Sequence, residues 1–212
     1  MNLIINFLNL TKLLEKKKIF LIVFLGPDGS GKSSLINKLM EEYKSYGSNH
    51  YSHFYPYFNK NISKTKIYPY SKRPYSTLLS SIKVIYMLLK NIYSLVFIIL
   101  FKKKGETIIW CDRYLYDIFA DPFRYRLNRI VFKPELIIKY TLKPNLIFIL
   151  NPPIDDILKR SSEISRNELT KQHLSYEKLK NFFPESFFIN SSSSINSLAQ
   201  YCKFYINELI KE

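Results

Sequence analysis

Residues 26–33 read Gly-Pro-Asp-Gly-Ser-Gly-Lys-Ser and fit the phosphate-binding loop pattern G-x-x-x-x-G-K-[ST] at every fixed position. The glycines let the backbone curl tightly, so that its N–H groups point at phosphate oxygens. Lys32 can place a positive charge on the β- and γ-phosphates of a nucleotide, and the Ser33 hydroxyl can ligate Mg²⁺. The pattern therefore predicts a site for ATP. Its expected nucleotide-binding residues are Gly26, Pro27, Asp28, Gly29, Ser30, Gly31, Lys32, Ser33 and Ser34.

The residues on either side of this loop match the strand and the helix that such a loop requires. Residues 19–25 form an unbroken apolar run, which is typical of a buried strand. Residues 34–44 carry apolar side chains at the spacing of one helix face. A helix that starts near Lys32 adds its positive N-terminal end to the phosphate site. The alternative interpretation is a glycine turn with an accidental lysine.

A second charged group follows another predicted strand. Residues 107–111 are short and apolar, and Asp112 and Arg113 come directly after them. A carboxylate at the end of a strand beside the loop can hold Mg²⁺ through water, and the adjacent arginine can bind the phosphate of an acceptor. We therefore expect Asp112 and Arg113 to be catalytic, with Ser33 and Asp112 as the metal ligands. The alternative is a surface pair in which Asp112 caps a helix.

A third, basic group follows the apolar run at 145–150. Lys159, Arg160 and Arg166 lie on or just past a predicted helix. Phosphoryl transfer needs cations against the charge of the transferred group, and a mobile lid that carries arginines supplies them on closure. We expect Arg160 and Arg166 to act in this way from a lid of about residues 155–172. The alternative is a solvated basic helix face.

Strands alternate with helices along the chain, which predicts parallel strand pairing and functional residues at the carboxyl ends of the strands. Strands are predicted at 19–25, 50–56, 107–111, 145–150 and 186–190. Helices are predicted at 1–18, 34–44, 76–103, 154–165, 172–182 and 195–210, with further helices in 113–142 broken at Pro122 and Pro134. We expect an α/β fold with a parallel sheet of about five strands and helices on both faces, as a single domain of residues 1–212.

The net charge of +15 is large for a chain of 212 residues. Such an excess attracts polyanions, which include nucleotides, nucleic acid and acidic membrane surfaces. The sequence contains no recognisable nucleic-acid-binding module, so no nucleic-acid partner is expected. Cys111 and Cys202 are expected to be buried thiols, as in proteins of a reducing cytoplasm.

The most apolar part of the chain is residues 76–101. Lys83 and Lys90 interrupt it on one helix face, where a charge in mid-bilayer is costly. The unbroken run at 95–101 is too short to span a bilayer. We expect a long, mostly buried helix closed by three lysines at 102–104. Peripheral membrane contact stays open as an alternative.

Together these segments resemble the thymidylate kinase family of P-loop kinases. The resemblance rests on residues 24–35, on Cys-Asp-Arg-Tyr at 111–114, and on 144–153 with the arginines that follow. It covers the chain from about residue 19 to the C-terminus. It implies a three-layer P-loop kinase fold and transfer of the γ-phosphoryl group of ATP, with Mg²⁺, to a small phosphate acceptor. A nucleoside monophosphate such as dTMP is the acceptor that the resemblance implies.

The resemblance also implies roles for single residues. Asp28 would reach a sugar hydroxyl of the acceptor nucleotide, and Arg113 would contact its phosphate. Some family members carry an arginine in the loop where this chain has Gly29, so the catalytic cation is expected from Arg160 or Arg166. A homodimer is left open.

The segment after Asp-Arg-Tyr departs from the family pattern. Typical members carry small residues and a Tyr-Gln pair that line the thymine pocket, whereas this chain has Asp117, Asp121, Arg124 and Arg126. This version looks like the divergent thymidylate kinase-like proteins encoded with surface-polysaccharide genes, whose acceptors need not be dTMP. A sugar, glycan or lipid-linked acceptor stays open, as does a non-catalytic nucleotide-binding role. The last three charged residues alternatively form a local salt-bridge cluster around Pro122.

Overall fold

The computed structural model describes residues 14, 16–54, 73–101, 105–128, 132–160, 164–183, 186–190 and 192–211. Most of the predicted N-terminal helix and the lysines at 102–104 lie outside these residues. In chain order the elements are β1 (Ile19–Leu25), α1 (Lys32–Glu42), β2 (Ser48–His53), α2 (Thr77–Phe101), β3 (Thr107–Asp112), α3 (Asp117–Ala120), a 3₁₀ turn (Phe123–Tyr125), α4 (Pro134–Lys139), β4 (Leu146–Leu150), α5 (Ile154–Arg160), α6 (Arg166–Phe182), β5 (Phe187–Ile189) and α7 (Ile195–Lys211).

The described strands form one sheet in the order β2-β3-β1-β4-β5, and every neighbouring pair is parallel. In the register of this sheet Phe24 lies beside Asp112, and Leu25 lies beside Ile149. The carboxyl ends of the three central strands therefore meet at one edge, where the loop after β1 begins. The predicted parallel sheet of about five strands is confirmed.

The central strand β1 is buried on both faces, as its unbroken apolar run predicts. Leu21 and Val23 belong to a core cluster that contains Tyr176 of α6. Phe24 belongs to a second cluster with Leu39 of α1 and with residues of α7. Because alternate residues of a strand point to opposite faces, the helices cover both sides of the sheet in three layers.

Trp110 of β3 forms a side-chain hydrogen bond to the edge strand β2. Its indole is fully buried, and Nε1 donates to Oδ1 of Asn49 at 2.7 Å. Its ring centroid lies 6.4 Å from that of Phe24 and 5.7 Å from that of Tyr43. The only tryptophan of the sequence is thus part of the core against helix α1.

Both cysteines are free, buried thiols, as predicted. Cys111 and Cys202 belong to the two clusters on opposite faces of the sheet, so they cannot pair with each other. Burial raises the pKa of the Cys202 thiol to about 12 and that of Cys111 well above its usual value.

Several predicted boundaries are wrong. The predicted helix 154–165 does not include Ser165, and the helix predicted at 172 begins at Arg166. Ser165 accepts a hydrogen bond from the backbone N–H of Glu168 at 3.3 Å, so it caps α6 instead of ending α5. This Ser-x-x-Glu start signal is visible in the sequence and was missed. The interval 113–142 contains only short helical pieces in its described part.

Helix α2 is not mostly buried, contrary to the prediction from its hydropathy. Its inward face carries polar residues with partners in the core: the Ser80 hydroxyl accepts from the backbone N–H of Asn128 at 3.1 Å, and Asn91 accepts from the Tyr114 hydroxyl at 3.4 Å. Large apolar side chains lie on the opposite face. This α2 apolar stripe consists of the exposed residues Leu78, Ile82, Ile85, Tyr86, Leu89 and Tyr93. No helix in the described part of the chain combines the length and apolarity needed to span a bilayer.

Replacing Gly26 with alanine tests how closely the loop packs on β4. Gly26 has φ +142°, and an added Cβ would lie 2.1 Å from the carbonyl oxygen of Leu150. Gly105 has a similar φ of +156° with open space around it, so Gly105→Ala is the control for backbone strain alone. We expect urea unfolding to show a loss of at least about 2 kcal/mol for Gly26→Ala, clearly more than for Gly105→Ala. Equal losses of unfolding free energy in the two variants would contradict a close approach of Gly26 to the Leu150 carbonyl.

Candidate active site

The loop between β1 and α1 is shaped by glycines in the left-handed backbone region. Gly29 has φ +80°, and Gly31, at φ +92°, is the N-cap of α1. The carbonyl of Gly31 accepts from the N–H of Leu35 at 3.0 Å, which closes the first turn. The remaining N–H groups of a first turn have no partner within a helix, so they are available to an anion.

The Lys32 ammonium lies inside this loop. Its Nζ donates to the carbonyl oxygens of Gly26 at 2.9 Å and Pro27 at 2.7 Å, and to Oγ of Ser30 at 3.2 Å. Burial lowers the pKa of Lys32 to about 8, and the charge of Arg113 acts in the same direction. The ammonium is therefore held inside the loop, in a setting that makes it easier to deprotonate than an exposed lysine.

Ser33 and Asp112 lie together, as the sequence predicts. The Ser33 hydroxyl donates to Oδ2 of Asp112 at 2.7 Å, and the Tyr51 hydroxyl donates to the same oxygen at 3.0 Å. Burial opposes ionisation of Asp112, but the charge of Lys32 and the Ser33 hydrogen bond hold its pKa below the usual value. Asp112 is the last residue of β3, so the alternative that it caps a helix is wrong.

The oxygens of Ser33 and Asp112 are of the kind that Mg²⁺ prefers. Magnesium in nucleotide sites takes one or two ligands from the protein and the rest from phosphates and water. Among the described residues no group of three or more His, Cys, Asp or Glu side chains is placed to hold a metal ion by itself. A metal at Ser33 and Asp112 would therefore depend on phosphate oxygens for the remainder of its ligands.

Arg113 is fixed by buried partners. Its φ of +72° is rare for a residue with a side chain, and only 2% of it is exposed. Nη1 donates to Oδ2 of the fully buried Asp117 at 2.5 Å. Asp117 also accepts from the hydroxyls of Tyr176 at 2.6 Å and Tyr125 at 2.7 Å. Burial would lower the pKa of Arg113, but the charge of Asp117 outweighs it and raises that pKa well above its usual value.

Asp28 of the loop lies between two guanidinium groups. One oxygen accepts from Nη2 of Arg113 at 2.5 Å, and the other accepts from Arg124. Burial would raise the pKa of Asp28, but the charges of Arg113 and Arg124 outweigh it and hold that pKa well below its usual range. Three charged groups from three separate segments thus meet beside the phosphate loop.

Sequence reasoning missed Arg124 as a site residue. The alternative interpretation, a local salt-bridge cluster around Pro122, is only partly right. The Arg124 backbone N–H donates to Asp121 at 3.2 Å, but the Arg124 side chain reaches Asp28. Arg126 turns away and stacks on the ring of Tyr75, 4.1 Å from its centroid. Arg124 and Asp28 are 96 residues apart, and no spacing in the sequence indicates their contact.

A cavity of about 470 Å³ opens over the phosphate loop. Its volume is in the range of small-molecule sites. It is lined by residues 29–35, Arg160, Ser193, Ile195 and Leu198. The last three come from the segment around the start of α7, which sequence reasoning did not include. This segment follows β5, whose carboxyl end lies at the same edge of the sheet, so the strand-end rule was the available signal.

The two expected lid arginines occupy different places. A Cβ on Gly31 would lie 3.8 Å from Nη1 of Arg160, so this guanidinium borders the loop. Arg166 pairs with Asp155 at the surface and does not line the cavity. The exposed Lys159 pairs with Asp156 at 3.6 Å, as expected of a solvated helix face.

Structural comparison finds thymidylate kinases and a deoxyadenosine kinase with a similar fold. Thymidylate kinase from Candida albicans matches with a TM-score of 0.62 and 16% identity, over 91% of this chain and 94% of that one. Thymidylate kinase from Ehrlichia chaffeensis matches with a TM-score of 0.58 and 18% identity, over 89% and 98%. Deoxyadenosine kinase from M. mycoides with bound dATP matches with a TM-score of 0.55 and 18% identity, over 89% of this chain and 100% of that one.

No protein-family model matches the sequence, and no curated protein matches it. At such low identities the structural likeness establishes the fold alone. The chain has the three-layer α/β fold of the P-loop kinases, as predicted.

The pKa of Lys32 predicts how triphosphate binding depends on pH. Below pH 8 the buried ammonium is charged and attracts a phosphate; above it the amine is neutral. We expect the affinity for ATP to fall between pH 7 and pH 9, by up to about tenfold per pH unit above the pKa. Calorimetry in two buffers should show proton uptake on binding near pH 9.

The stability of the ligand-free protein should change in the opposite direction. A lysine that loses its proton near pH 8 when folded keeps it to about pH 10.4 when unfolded, so the unfolded state binds more protons between these values. Lys32 then adds stability as the pH rises.

Lys32→Arg stays charged and is the control. A decline in affinity that persists unchanged in this variant would contradict the assignment.

Proposed function

We propose that this protein transfers the γ-phosphoryl group of ATP to a small phosphorylated acceptor, with a nucleoside monophosphate such as dTMP as the first candidate. The observation that carries the proposal is that one loop contributes residues to two neighbouring charged sites. Lys32 and Ser33 face the phosphate cavity, and Asp28 of the same loop meets Arg113 and Arg124. A triphosphate and an anionic acceptor could therefore be held side by side.

Several contacts support the ATP half of this site. The unpaired N–H groups at the start of α1 and the Lys32 ammonium suit the β- and γ-phosphates. Mg²⁺, with Ser33 and Asp112 among its ligands, would neutralise charge on these phosphates. Ile195 and Leu198 also line the cavity and suit the apolar face of a base.

Arg160 is our candidate for the cation that stabilises the transferred group. It borders the loop at Gly31 and lies on α5, inside the lid proposed for residues 155–172. In the transfer an acceptor oxygen forms a bond to the γ-phosphorus while the bond to the β–γ bridging oxygen breaks, which leaves ADP. Negative charge spreads over the equatorial oxygens, where a guanidinium stabilises it. Arg166 would join only after its pair with Asp155 breaks.

The acceptor half is proposed around Asp28. Two guanidinium groups that converge on one carboxylate form the kind of fork that also binds a phosphate. Arg113 is locked by Asp117, whereas Arg124 lies nearer the surface, with 18% of its side chain exposed. In our proposal Arg124 leaves Asp28 to bind the acceptor phosphate beside Arg113. Asp28 is then free to accept a hydrogen bond from an acceptor hydroxyl.

A second candidate keeps the chemistry and changes the acceptor to a sugar, glycan or lipid-linked group. It is favoured by the partly exposed Asp28 and Arg124, since a carboxylate and a guanidinium can both hydrogen-bond the hydroxyl groups of such a ligand. The use of ATP and the two buried thiols fit a cytoplasmic location, which we propose with this function.

A screen of ATP consumption across acceptors tests the proposal. We expect ADP release with a nucleoside monophosphate, and a loss of at least about 100-fold in Lys32→Met, which removes the charge and keeps the stem of the side chain. Release only with glycan-type acceptors would support the second candidate. Stabilisation by ATP and Mg²⁺ without turnover on any acceptor would contradict a kinase and leave a nucleotide-binding protein.

Arg124→Ala and Arg126→Ala form a matched pair for the acceptor site. Both arginines lie in the same turn, but only Arg124 reaches Asp28. We expect Arg124→Ala to raise the KM for the acceptor by about tenfold or more, with the KM for ATP changed less than about twofold. Arg126→Ala should change neither. An equal rise for ATP and acceptor in Arg124→Ala would show that Arg124 does not read the acceptor.

A further inference from the structure

The carboxylate of Asp112 accepts hydrogen bonds from two different elements at the same oxygen. The Ser33 hydroxyl of α1 donates to Oδ2 at 2.7 Å, and the Tyr51 hydroxyl of β2 donates to it at 3.0 Å. Ser33 is itself a candidate metal ligand, whereas Tyr51 has no role so far in the proposed reaction. Sequence reasoning did not include Tyr51 in the site, because it lies 61 residues before Asp112 in the chain.

The edge strand β2 directs Tyr51 toward Asp112 through a repeated diagonal pairing. In the parallel register of β2 and β3, Asn49 lies beside Ile108 and Tyr51 lies beside Trp110. Asn49 accepts from Nε1 of Trp110 at 2.7 Å, two positions further along β3 than its neighbour in register. Tyr51 donates to Asp112 with the same offset. Because alternate residues of a strand share a face, both pairs lie on one side of the sheet.

The strand that carries Tyr51 is itself held in place. Nδ2 of Asn49 donates to the backbone carbonyl oxygens of Tyr43 at 2.8 Å and Tyr46 at 3.3 Å, at the end of helix α1. The ring of Tyr51 packs against the core cluster that contains Trp110. The hydroxyl of Tyr51 is therefore presented from a fixed element, which is what the precise support of a binding group requires.

A carboxylate at a metal site needs support of this kind. The side chain of an aspartate rotates about two bonds, and the carboxylates that hold a metal are normally oriented by further hydrogen bonds from their surroundings. In the proposed function Ser33 and Asp112 are both ligands of Mg²⁺. Tyr51, by contrast, donates to the Asp112 carboxylate from outside this ligand set.

We propose that Tyr51 is a positioning residue of the metal site, whose hydroxyl holds the Asp112 carboxylate in the orientation that suits Mg²⁺ bound with the phosphates of ATP. This inference rests on the metal site of the proposed function and does not depend on which acceptor is used. The same hydrogen bond also satisfies a buried carboxylate, so unfolding stability alone does not report the role of Tyr51. The part of the ATP affinity that requires the metal does report it.

Calorimetric titration of the full chain with ATP, in excess Mg²⁺ and in EDTA, tests the proposal. We expect Tyr51→Phe to weaken ATP binding by about tenfold in Mg²⁺ and by less than about twofold in EDTA. Unchanged affinity in EDTA also shows that the variant is folded. Tyr43→Phe is the matched control, because it removes a hydroxyl that donates to Asn207 at 2.6 Å instead of to Asp112. It should change either affinity by less than about twofold.

A double-mutant cycle with Asp112→Ala shows whether Tyr51 acts through Asp112. Asp112→Ala should remove most of the difference between the affinities in Mg²⁺ and in EDTA, and adding Tyr51→Phe should then change little. Losses that add in full would show that Tyr51 acts independently of Asp112. Equal losses in Mg²⁺ and EDTA, or in Tyr51→Phe and Tyr43→Phe, would show a general structural effect. Any of these results would overturn the proposal.

Turnover measurements on the same proteins separate this inference from the proposed function. If no acceptor supports turnover but Tyr51→Phe still weakens only the Mg²⁺-dependent binding, phosphotransfer is rejected and the positioning role of Tyr51 stands. If the unsubstituted protein turns over and Tyr51→Phe binds ATP and Mg²⁺ equally well, the positioning role is rejected and the proposed function stands. ATP binding that does not respond to Mg²⁺ in the unsubstituted protein would reject the metal site and this inference with it.

Discussion

The ion pairs of Arg113 connect the parts of this site more than any other interaction. One guanidinium joins Asp28, which follows the central strand β1, to Asp117, which begins helix α3. Isolated buried charges are costly, and removing one partner of such a pair leaves the other uncompensated. The rare backbone conformation of Arg113 persists because these contacts hold it. The geometry of the loop and the end of β3 therefore depend on one another.

The sequence predicts those features that follow from local pattern. Apolar runs indicate the strands, and the rule that parallel strands end at one edge predicts that Ser33 and Asp112 meet, which they do. The contact between Arg124 and Asp28 has no local signature, since it depends on how a turn after α3 packs against the loop. The prediction of a mostly buried α2 from hydropathy was also wrong, because its inward face uses serine and asparagine as hydrogen-bonding groups while the residues of the α2 apolar stripe face outward.

The arrangement of charge suggests how a highly basic protein keeps its site selective. Asp28, Asp112 and Asp117 each lie against a cation or hydroxyl donor, so the acidic groups near the loop are already engaged. At Asp28, an incoming anion must displace the carboxylate from Arg124 instead of meeting free positive charge. Such exchange favours ligands that offer a phosphate together with a hydroxyl, since both halves of each broken pair then find a new partner.

Trp110 gives this architecture an intrinsic optical reporter. The indole is buried in β3 against Phe24, which is in register with Asp112, and the chain has no other tryptophan. Its fluorescence therefore originates from one known place, two residues before Asp112 and in the core cluster that contains Leu35 and Ile36 of α1. Emission from this ring can follow the arrival of a ligand or the opening of the sheet in real time without any attached dye.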